Sequence, residues 1–320
     1  MRALQVIALT GADGVQLVEV PEPAGAGVLI DVRAIGVRFT DLLRSQGLYQ
    51  ERSEPPYIPF TEAAGVVRHA PEGSGFAAND RVYGSVAAAA AERALGAPGA
   101  LVHLPPELTF AQGAAIGLNY QTAVLGLETR GRMRAGETVL VHGAAGGTGT
   151  AAIQVAKGLG GRAFAVVSSD DKERVARTAG ADEVVRSDGP WKDEALRLTG
   201  GRGVDLVWDP VGGDRATDTL RVLAPQGRWV VIGFVGGPIP SVPLNRVLLK
   251  NVDIVGAFYS GWTSGNPGEA LRLRDRVSAL MAGGHVKPIV GSQHPLAEGA
   301  AALRTLAERR AIGKVVISIP

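Results

Sequence analysis

The sequence predicts an α/β fold in which a β-rich segment precedes a doubly wound parallel sheet. From residue 119 to residue 256, apolar runs alternate with amphipathic stretches, and this alternation is typical of βαβ units. Residues 1–118 instead contain short apolar runs between Gly and Pro turns, which is typical of a mostly β segment. The last segment, 257–320, combines two helical patterns with a final strand at Lys314–Ile319.

The individual elements follow from the same patterns. In the first segment we expect strands at Leu17–Val20, Val28–Val32, Ala64–Val67 and Arg81–Tyr83, and a short helix at Thr40–Ser45. The strands expected in the parallel sheet are Val139–Val141, Ala163–Val167, Glu183–Val185, Val204–Trp208 and Trp229–Ile232. Helices are expected at Lys172–Thr178, Arg215–Leu223, Gly268–Met281 and Leu296–Arg309.

Composition narrows the class of protein. The chain of 320 residues is 46% hydrophobic and 20% charged, which is ordinary for a globular protein with room for two domains. It contains no cysteine, which excludes disulfides, thiolate nucleophiles and Cys-ligated zinc. The net charge is only +2 without a clustered basic face, so we expect no nucleic-acid partner. No apolar run approaches the length of a membrane span and no secretory signal is evident, so we expect a cytoplasmic protein without a membrane partner.

The stretch from Val139 to Lys157 carries the strongest functional signal. An apolar strand ends in the turn Gly143-x-x-Gly146-x-x-Gly149, and the turn opens directly into a helical pattern. Glycines let the backbone approach a ligand, and a helix N-terminus offers free N–H groups and a partial positive charge to a pyrophosphate. The spacing differs from the commoner G-x-G-x-x-G, so a glycine-rich turn without a ligand stays open as the alternative.

The end of the second strand indicates which dinucleotide binds. A carboxylate there binds the ribose 2′-OH of NAD, whereas hydroxyls and cations suit the 2′-phosphate of NADP. Ser168 and Ser169 end this strand and Lys172 follows, so we expect NADPH. Asp170 and Asp171 are counter-evidence, although Asp often begins a helix at this point. Helix capping is also the alternative role for the two serines.

Phe234 and Val235 follow the fifth strand at the edge of the sheet where ligands collect, so we expect them to line the nicotinamide. The alternative is that Phe234 serves only as packing area.

Several motifs give the whole chain a specific resemblance. They are Gly36-Val37-x-Phe39-x-Asp41, Gly47-Leu48-Tyr49, Glu62-Ala63-Ala64-Gly65, Asp80-Arg81-Val82, Asn119-Tyr120-Gln121-Thr122, Gly180-Ala181-Asp182, Asp209-Pro210-Val211-Gly212-Gly213 and Gly313-Lys314-Val315. In this order and spacing the chain resembles zinc-free members of the medium-chain dehydrogenase/reductase superfamily, in the NADPH:quinone oxidoreductase group that includes ζ-crystallin-like proteins.

The resemblance implies a GroES-like catalytic domain at residues 1–118, completed by 257–320, around a Rossmann NADPH-binding domain at 119–256. It also implies a homodimer, with the edge strand Asn251–Gly256 at the seam. Together, the strand-end positions and the resemblance give the cofactor-binding candidates Asn119, Thr122, Gly146, Gly147, Thr148, Ser168, Ser169, Lys172, Phe234, Val235, Phe258 and Lys314.

The zinc-dependent branch of the superfamily carries a Gly-His-Glu turn whose His binds the metal. The corresponding residues here are Phe60, Thr61 and Glu62, so we expect no catalytic metal. The resemblance therefore implies an NADPH-dependent reductase that transfers hydride to a quinone or an α,β-unsaturated carbonyl by positioning and electrostatics.

Arg38 and Phe60 depart from the motifs of the family, which usually has Asn and Gly at these positions. One interpretation turns Arg38 outward to solvent and buries Phe60 in the core. The other makes Arg38 an anchor for an anionic acceptor, and Phe60 then adds bulk near the substrate. Tyr49 is the candidate proton donor, with a plain aromatic wall as its alternative. We expect Asp41 to cap the short helix.

Two further functions stay open. One is a biosynthetic enzyme on the same scaffold with altered or non-redox chemistry on an anionic substrate. The other is a non-enzymatic NADPH-binding protein.

Overall fold

We describe the chain from a computed structural model. The structure describes the backbone of residues 1–320 and every side chain except that of Pro267. Two compact units are present, one formed by residues 1–117 and 288–320 and the other by residues 118–287. Among the described residues, no helix combines the length and the apolar character that crossing a membrane requires.

The strands are numbered in chain order. They are β1 (Arg2–Val6), β2 (Val15–Glu19), β3 (Val28–Val37), β4 (Glu62–His69), β5 (Arg81–Ser85), β6 (Arg93–Gly96), β7 (Leu101–His103), β8 (Thr138–Val141), β9 (Arg162–Val167), β10 (Glu183–Arg186), β11 (Val204–Asp209), β12 (Leu223–Val231), β13 (Asp253–Gly256), β14 (Val290–Pro295) and β15 (Lys314–Ser318). The expected strands coincide with members of this set, usually within one or two residues at each end.

The α-helices are numbered in the same way. They are α1 (Phe39–Ser45), α2 (Phe110–Val124), α3 (Gly147–Gly158), α4 (Asp170–Thr178), α5 (Trp191–Leu198), α6 (Ala216–Val222), α7 (Leu244–Lys250), α8 (Tyr259–Ser264), α9 (Pro267–Ala282) and α10 (Gly299–Ala307). A kink at Gly117 interrupts α2. The helix expected at Leu296–Arg309 is shorter in the structure, because a 3-10 turn at Leu296–Glu298 precedes α10.

The first unit is built on a largely antiparallel sheet in the order β14-β15-β3-β4-β5-β7, in which β6 also pairs with β3. The chain returns at its C-terminal end to place β15 beside β3, with Val315 opposite Val37. The apolar side chains of these strands form a buried core with those of β1 and α10. Both ends of the chain therefore contribute to one unit.

The second unit contains a parallel sheet in the order β10-β9-β8-β11-β12-β13. This order is the doubly wound 3-2-1-4-5-6 arrangement, whose direction reverses between β8 and β11. All four residues of β8 are buried, as expected of a central strand covered by helices on both faces. The predicted α/β class is therefore confirmed.

The second unit continues past the boundary that we predict at residue 256. Its additional helices are held to residues near its start: the Tyr259 hydroxyl donates to Gln121 at 2.7 Å, and Arg276 pairs with Glu128 at 2.9 Å. Sequence patterns describe helix periodicity but not which neighbour a helix packs against, so this attachment was not visible in the sequence.

Candidate functional site

Most of the predicted nucleotide residues lie in segments that emerge at one edge of the parallel sheet. In this sheet β8, β9, β11, β12 and β13 all run in the same direction, so the segments that follow them emerge at the same edge. The glycine turn follows β8 and begins at the point where the strand order reverses. Open α/β sheets bind ligands at such a reversal, outside the carboxyl ends of the strands.

The glycine turn has the geometry of an anion cradle. Gly143 has a φ of 59°, a left-handed conformation that favours glycine, and its carbonyl accepts the Gly146 N–H at 3.0 Å. A Cβ on Gly149 would lie 2.2 Å from the Gly143 oxygen, so the turn closes only around glycine. A Cβ on Gly146 would meet nothing closer than 3.4 Å, which leaves space beside the start of α3.

The segment after β9 brings Ser168 and Lys172 together. The Lys172 ammonium donates to the Ser168 hydroxyl at 3.0 Å. The Ser169 hydroxyl accepts the Lys172 N–H at 3.4 Å, so Ser169 caps α4 as the alternative interpretation expects. Arg186, which the sequence interpretation did not include, also donates to the Ser168 carbonyl at 3.3 Å. The sequence signal that could have identified Arg186 is its position at the end of β10, the strand that pairs with β9.

The segment after β11 is held by the buried carboxylate of Asp209. One carboxylate oxygen accepts the N–H groups of Val211 and Gly212 at 2.8 and 2.9 Å, and the other accepts the Trp229 indole N–H at 3.1 Å. The Val235 N–H donates to the Pro210 carbonyl at 3.0 Å, which joins this segment to the one after β12. Val235 is half-buried and the Phe234 ring is partly exposed at this joined edge.

His142 stands directly before the glycine turn and is completely buried. Its ring lies edge-on to Trp191, and its Nε2 is 3.3 Å from the Thr219 hydroxyl. The pKa of His142 is lowered to about 4, mainly by burial; the negative charge of Asp209 opposes this shift and the positive charge of Arg215 adds to it. The imidazole is therefore neutral at physiological pH.

The remaining four cofactor candidates lie on other elements than the segments after β8, β9 and β12. Asn119 and Thr122 are buried on α2, and Phe258 is exposed just after β13. Lys314 belongs to the first unit, where its ammonium donates to the Glu62 carboxylate at 2.6 Å and both side chains are almost fully buried. The Lys314 ammonium is thus already engaged by Glu62.

Arg38 and Asp41 form a closed pair at the start of α1. The Arg38 guanidinium donates through two nitrogens to the two Asp41 oxygens, at 2.8 and 3.1 Å, and Asp41 also accepts the Arg38 N–H at 2.9 Å. Only 13% of the Arg38 side chain is exposed, so the interpretation that turns Arg38 outward is wrong. Burial lowers the pKa of Arg38, but the pairing with Asp41 outweighs this effect and raises it. The expected capping role of Asp41 is confirmed.

Tyr49 lies close to this pair. Burial raises the pKa of its phenol, against the effect of the nearby Arg44 guanidinium, which lies 5.1 Å from the centre of the Tyr49 ring. Burial also raises the pKa of Tyr57; the positive charge of Arg44 opposes this shift and the negative charge of Asp41 adds to it. Among the described residues, the Tyr57 hydroxyl and the Arg44 Nε are buried without a hydrogen-bond partner. The sequence interpretation missed both residues; in the structure, the charges of Arg44 and Asp41 act on Tyr49 and on Tyr57.

Phe60 is buried in the apolar core of the first unit. Its φ of 67° lies in the left-handed region, which favours glycine and which a bulky side chain rarely adopts. Core packing therefore compensates a backbone conformation that a bulky residue rarely adopts.

Comparison with known proteins gives a consistent family. Residues 24–104 match the alcohol dehydrogenase GroES-like domain, and residues 147–276 match the zinc-binding dehydrogenase family. The chain is 36% identical over 296 residues to "Quinone oxidoreductase-like protein 2" of Bos taurus, covering 91% of this chain and 85% of that protein. The match of residues 24–104 to the GroES-like domain confirms the predicted GroES-like character of the β-rich unit.

Two solved structures have the same fold over the full chain. A probable oxidoreductase from Mycobacterium abscessus matches with a TM-score of 0.89 and 38% identity, covering 100% of this chain and 99% of the other. The quinone oxidoreductase from Thermus thermophilus, solved also in complex with NADPH, matches with a TM-score of 0.84 and 34% identity over 100% of both chains. The chain therefore belongs to the medium-chain dehydrogenase/reductase superfamily, within its quinone oxidoreductase group.

Proposed function

We propose that this chain is an NADPH-dependent oxidoreductase that reduces a quinone, or the β-carbon of an α,β-unsaturated carbonyl, without a metal ion. The observation that carries the proposal is the cradle between β8 and α3, where glycine backbone and helix N–H groups lie at the strand-order reversal. Gly146, Gly147 and Thr148 would hold the pyrophosphate there. The complex of the Thermus relative with NADPH supports the choice of cofactor.

The residues at the same edge divide the remaining binding tasks. Ser168 and Lys172 offer a hydroxyl and a cation to a ribose 2′-phosphate. Phe234 and Val235, held by the Asp209 network, would line the nicotinamide, as would Phe258. Buried Asn119 and Thr122 would complete the site as side-chain donors. When bound, NADPH supplies the hydride.

A metal-free reaction is supported by the residues at the position that binds zinc in the zinc-dependent branch. Thr61 replaces the metal-binding His, and Glu62 is already paired with Lys314. Among the described residues, no group of three His, Cys, Asp or Glu side chains could hold a metal ion. These residues do not fit a catalytic zinc.

On the acceptor side we propose Tyr49 as the proton donor. Reduction of a quinone or enone leaves an oxyanion, which a neutral phenol can protonate or stabilise by a hydrogen bond. The raised pKa of Tyr49 keeps its proton in place at neutral pH.

Arg38 favours a neutral acceptor over an anionic one. Asp41 already compensates the guanidinium charge with two hydrogen bonds, so an anionic substrate would gain little net attraction. Arg38 retains further N–H groups that can donate to a carbonyl oxygen. This pairing weakens the alternative of an enzyme acting on an anionic substrate.

The proposed enzyme is a homodimer. Helix α7, which directly precedes the edge strand β13 in the chain, exposes Leu244, Leu248 and Leu249, each more than 70% accessible. An apolar group of this kind on a globular protein is typical of an interaction surface.

The test is oxidation of NADPH, followed at 340 nm, with a simple quinone and with a simple enone. We expect turnover with at least one acceptor. Tyr49→Phe should lower kcat by about 100-fold, the usual contribution of a general acid, and leave NADPH affinity unchanged. The wild-type rate should stay constant through pH 9 and fall only above the raised pKa of Tyr49, as the phenol ionises.

Leu48→Phe, which alters an exposed neighbour of Tyr49, is the control and should retain the wild-type rate. NADPH binding without turnover on any acceptor would instead support a non-enzymatic NADPH-binding protein.

A further inference from the structure

Arg186 lies next to Ser168 but has no role in the proposed site described above. It ends β10, opposite Val167 at the end of β9, and the Ser187 N–H donates to the Val167 carbonyl at 2.7 Å. This register brings the Arg186 guanidinium to Ser168, whose carbonyl accepts one of its N–H groups at 3.3 Å. The segment after the second strand is where this fold recognises the ribose 2′ position.

Two carboxylates hold the guanidinium in the free protein. Its Nη1 donates to Asp170 at 2.6 Å, while the two contacts with Asp188 are long, at 3.3 and 3.4 Å. The Asp170 side chain is 89% exposed and that of Asp188 is 64% exposed. Exposed ion pairs of this kind contribute little to stability, so both are easily exchanged.

A phosphate is a stronger partner for the same group. Guanidinium groups bind phosphate through two parallel N–H···O bonds, and such charge-assisted bonds are about twice as strong as neutral ones. The Lys172 ammonium also binds Ser168, by donating to its hydroxyl at 3.0 Å. Two cations therefore contact one serine at the edge of the sheet.

We propose that Arg186 is a specificity-determining residue, which exchanges Asp170 and Asp188 for the 2′-phosphate of the dinucleotide. The inference rests on the proposed NADPH function and deepens it. Asp170 and Asp188 act as internal competitors for the guanidinium and therefore limit the preference for NADPH over NADH. Removing the arginine and removing a competitor must then shift that preference in opposite directions.

The experiment measures the dissociation constants of NADPH and NADH for the wild type and for Arg186→Ala, Arg186→Lys and Asp188→Asn. We expect Arg186→Ala to weaken NADPH binding by about 10-fold or more and to change NADH binding by less than about 2-fold, because only NADPH carries the phosphate. Arg186→Lys should weaken NADPH binding less than Arg186→Ala does, because lysine retains the positive charge but cannot form the two parallel hydrogen bonds of a guanidinium. Asp188→Asn should tighten NADPH binding and leave NADH binding unchanged.

Arg177→Ala is the matched control: this arginine is also exposed and ion-paired, with Glu173, but it lies toward the other end of α4. It should leave both dissociation constants unchanged. The role of Arg186 is refuted if Arg186→Ala weakens the binding of NADPH and NADH equally, or weakens the binding of neither. The proposed function stands in that case, provided that the wild type binds NADPH. If the wild type binds neither dinucleotide, both fail together.

Discussion

At the scale of the residue, the buried histidine directly before the glycine turn is neutral in the folded chain. The ordinary pKa of histidine is about 6.5, and burial lowers that of His142 to about 4. Above pH 6.5 the imidazole is neutral in the folded and the unfolded chain, so its contribution to stability is complete. Between pH 6.5 and pH 4 only the unfolded chain gains the proton, so stability falls as the pH falls.

We therefore predict that the free energy of unfolding decreases between pH 7.5 and pH 5, at a limiting slope of about 1.4 kcal/mol per pH unit for this group. His142→Asn should flatten the slope, whatever its effect at pH 7.5. His285→Asn changes an exposed histidine of the same unit and should preserve the wild-type slope. Denaturant unfolding at several pH values measures this, and identical slopes for the wild type and His142→Asn would contradict it.

At the scale of the element, two glycines of the same turn have different tasks. Gly149 lets the turn close, because a Cβ there would lie 2.2 Å from a backbone oxygen. Gly146 has an ordinary extended backbone, with φ −81° and ψ 174°, and a Cβ there would make only an ordinary contact, 3.4 Å from the Gly143 oxygen. Gly149 therefore serves the stability of the folded turn, whereas Gly146 leaves room for a ligand.

Gly146→Ala should consequently leave the free energy of unfolding within about 1 kcal/mol of the wild type, since alanine is only a poorer helix cap. The same change should weaken NADPH binding by about 10-fold or more, because the methyl group fills the space of the pyrophosphate. Gly149→Ala should instead lower stability by about 1–3 kcal/mol, as overpacking usually does. Thermal unfolding and NADPH titration of both variants separate the two roles. Equal behaviour of the two variants would refute the division.

The sequence predicts these elements well, because period and turn residues are local signals. The glycine turn and the strands around it are visible as an apolar run, three spaced glycines and a helical repeat. Pairings between distant residues are not local. The ion pair of Lys314 with Glu62 and the position of Arg186 beside Ser168 follow from strand register, which one sequence does not reveal.

Arg38 illustrates the same limit at short range. Both sequence interpretations treated its charge as available, either to solvent or to a substrate. The partner is only three residues away, but the extended backbone of Arg38 and the helical backbone of Asp41 decide that the two side chains meet. Residue type alone does not fix that geometry.

At the scale of the whole molecule, the exposed leucines of α7 predict the oligomeric state. We expect light scattering after gel filtration to give twice the mass of the chain. Leu248→Glu together with Leu249→Glu should give monomers, because charges would have to be buried at the seam. Leu271→Glu alters an exposed leucine on α9 and should remain dimeric. A wild-type monomer, or a dimer that survives the double change, would contradict the assignment of this surface.

The central claim is that the edge of the parallel sheet binds NADPH through the turn between β8 and α3. Calorimetric titration of NADPH into the wild-type chain tests it most directly. We expect one NADPH bound per chain, with a dissociation constant in the range of about 1 μM to 1 mM that is usual for enzyme ligands. No heat of binding across that range, with the protein folded, would contradict it.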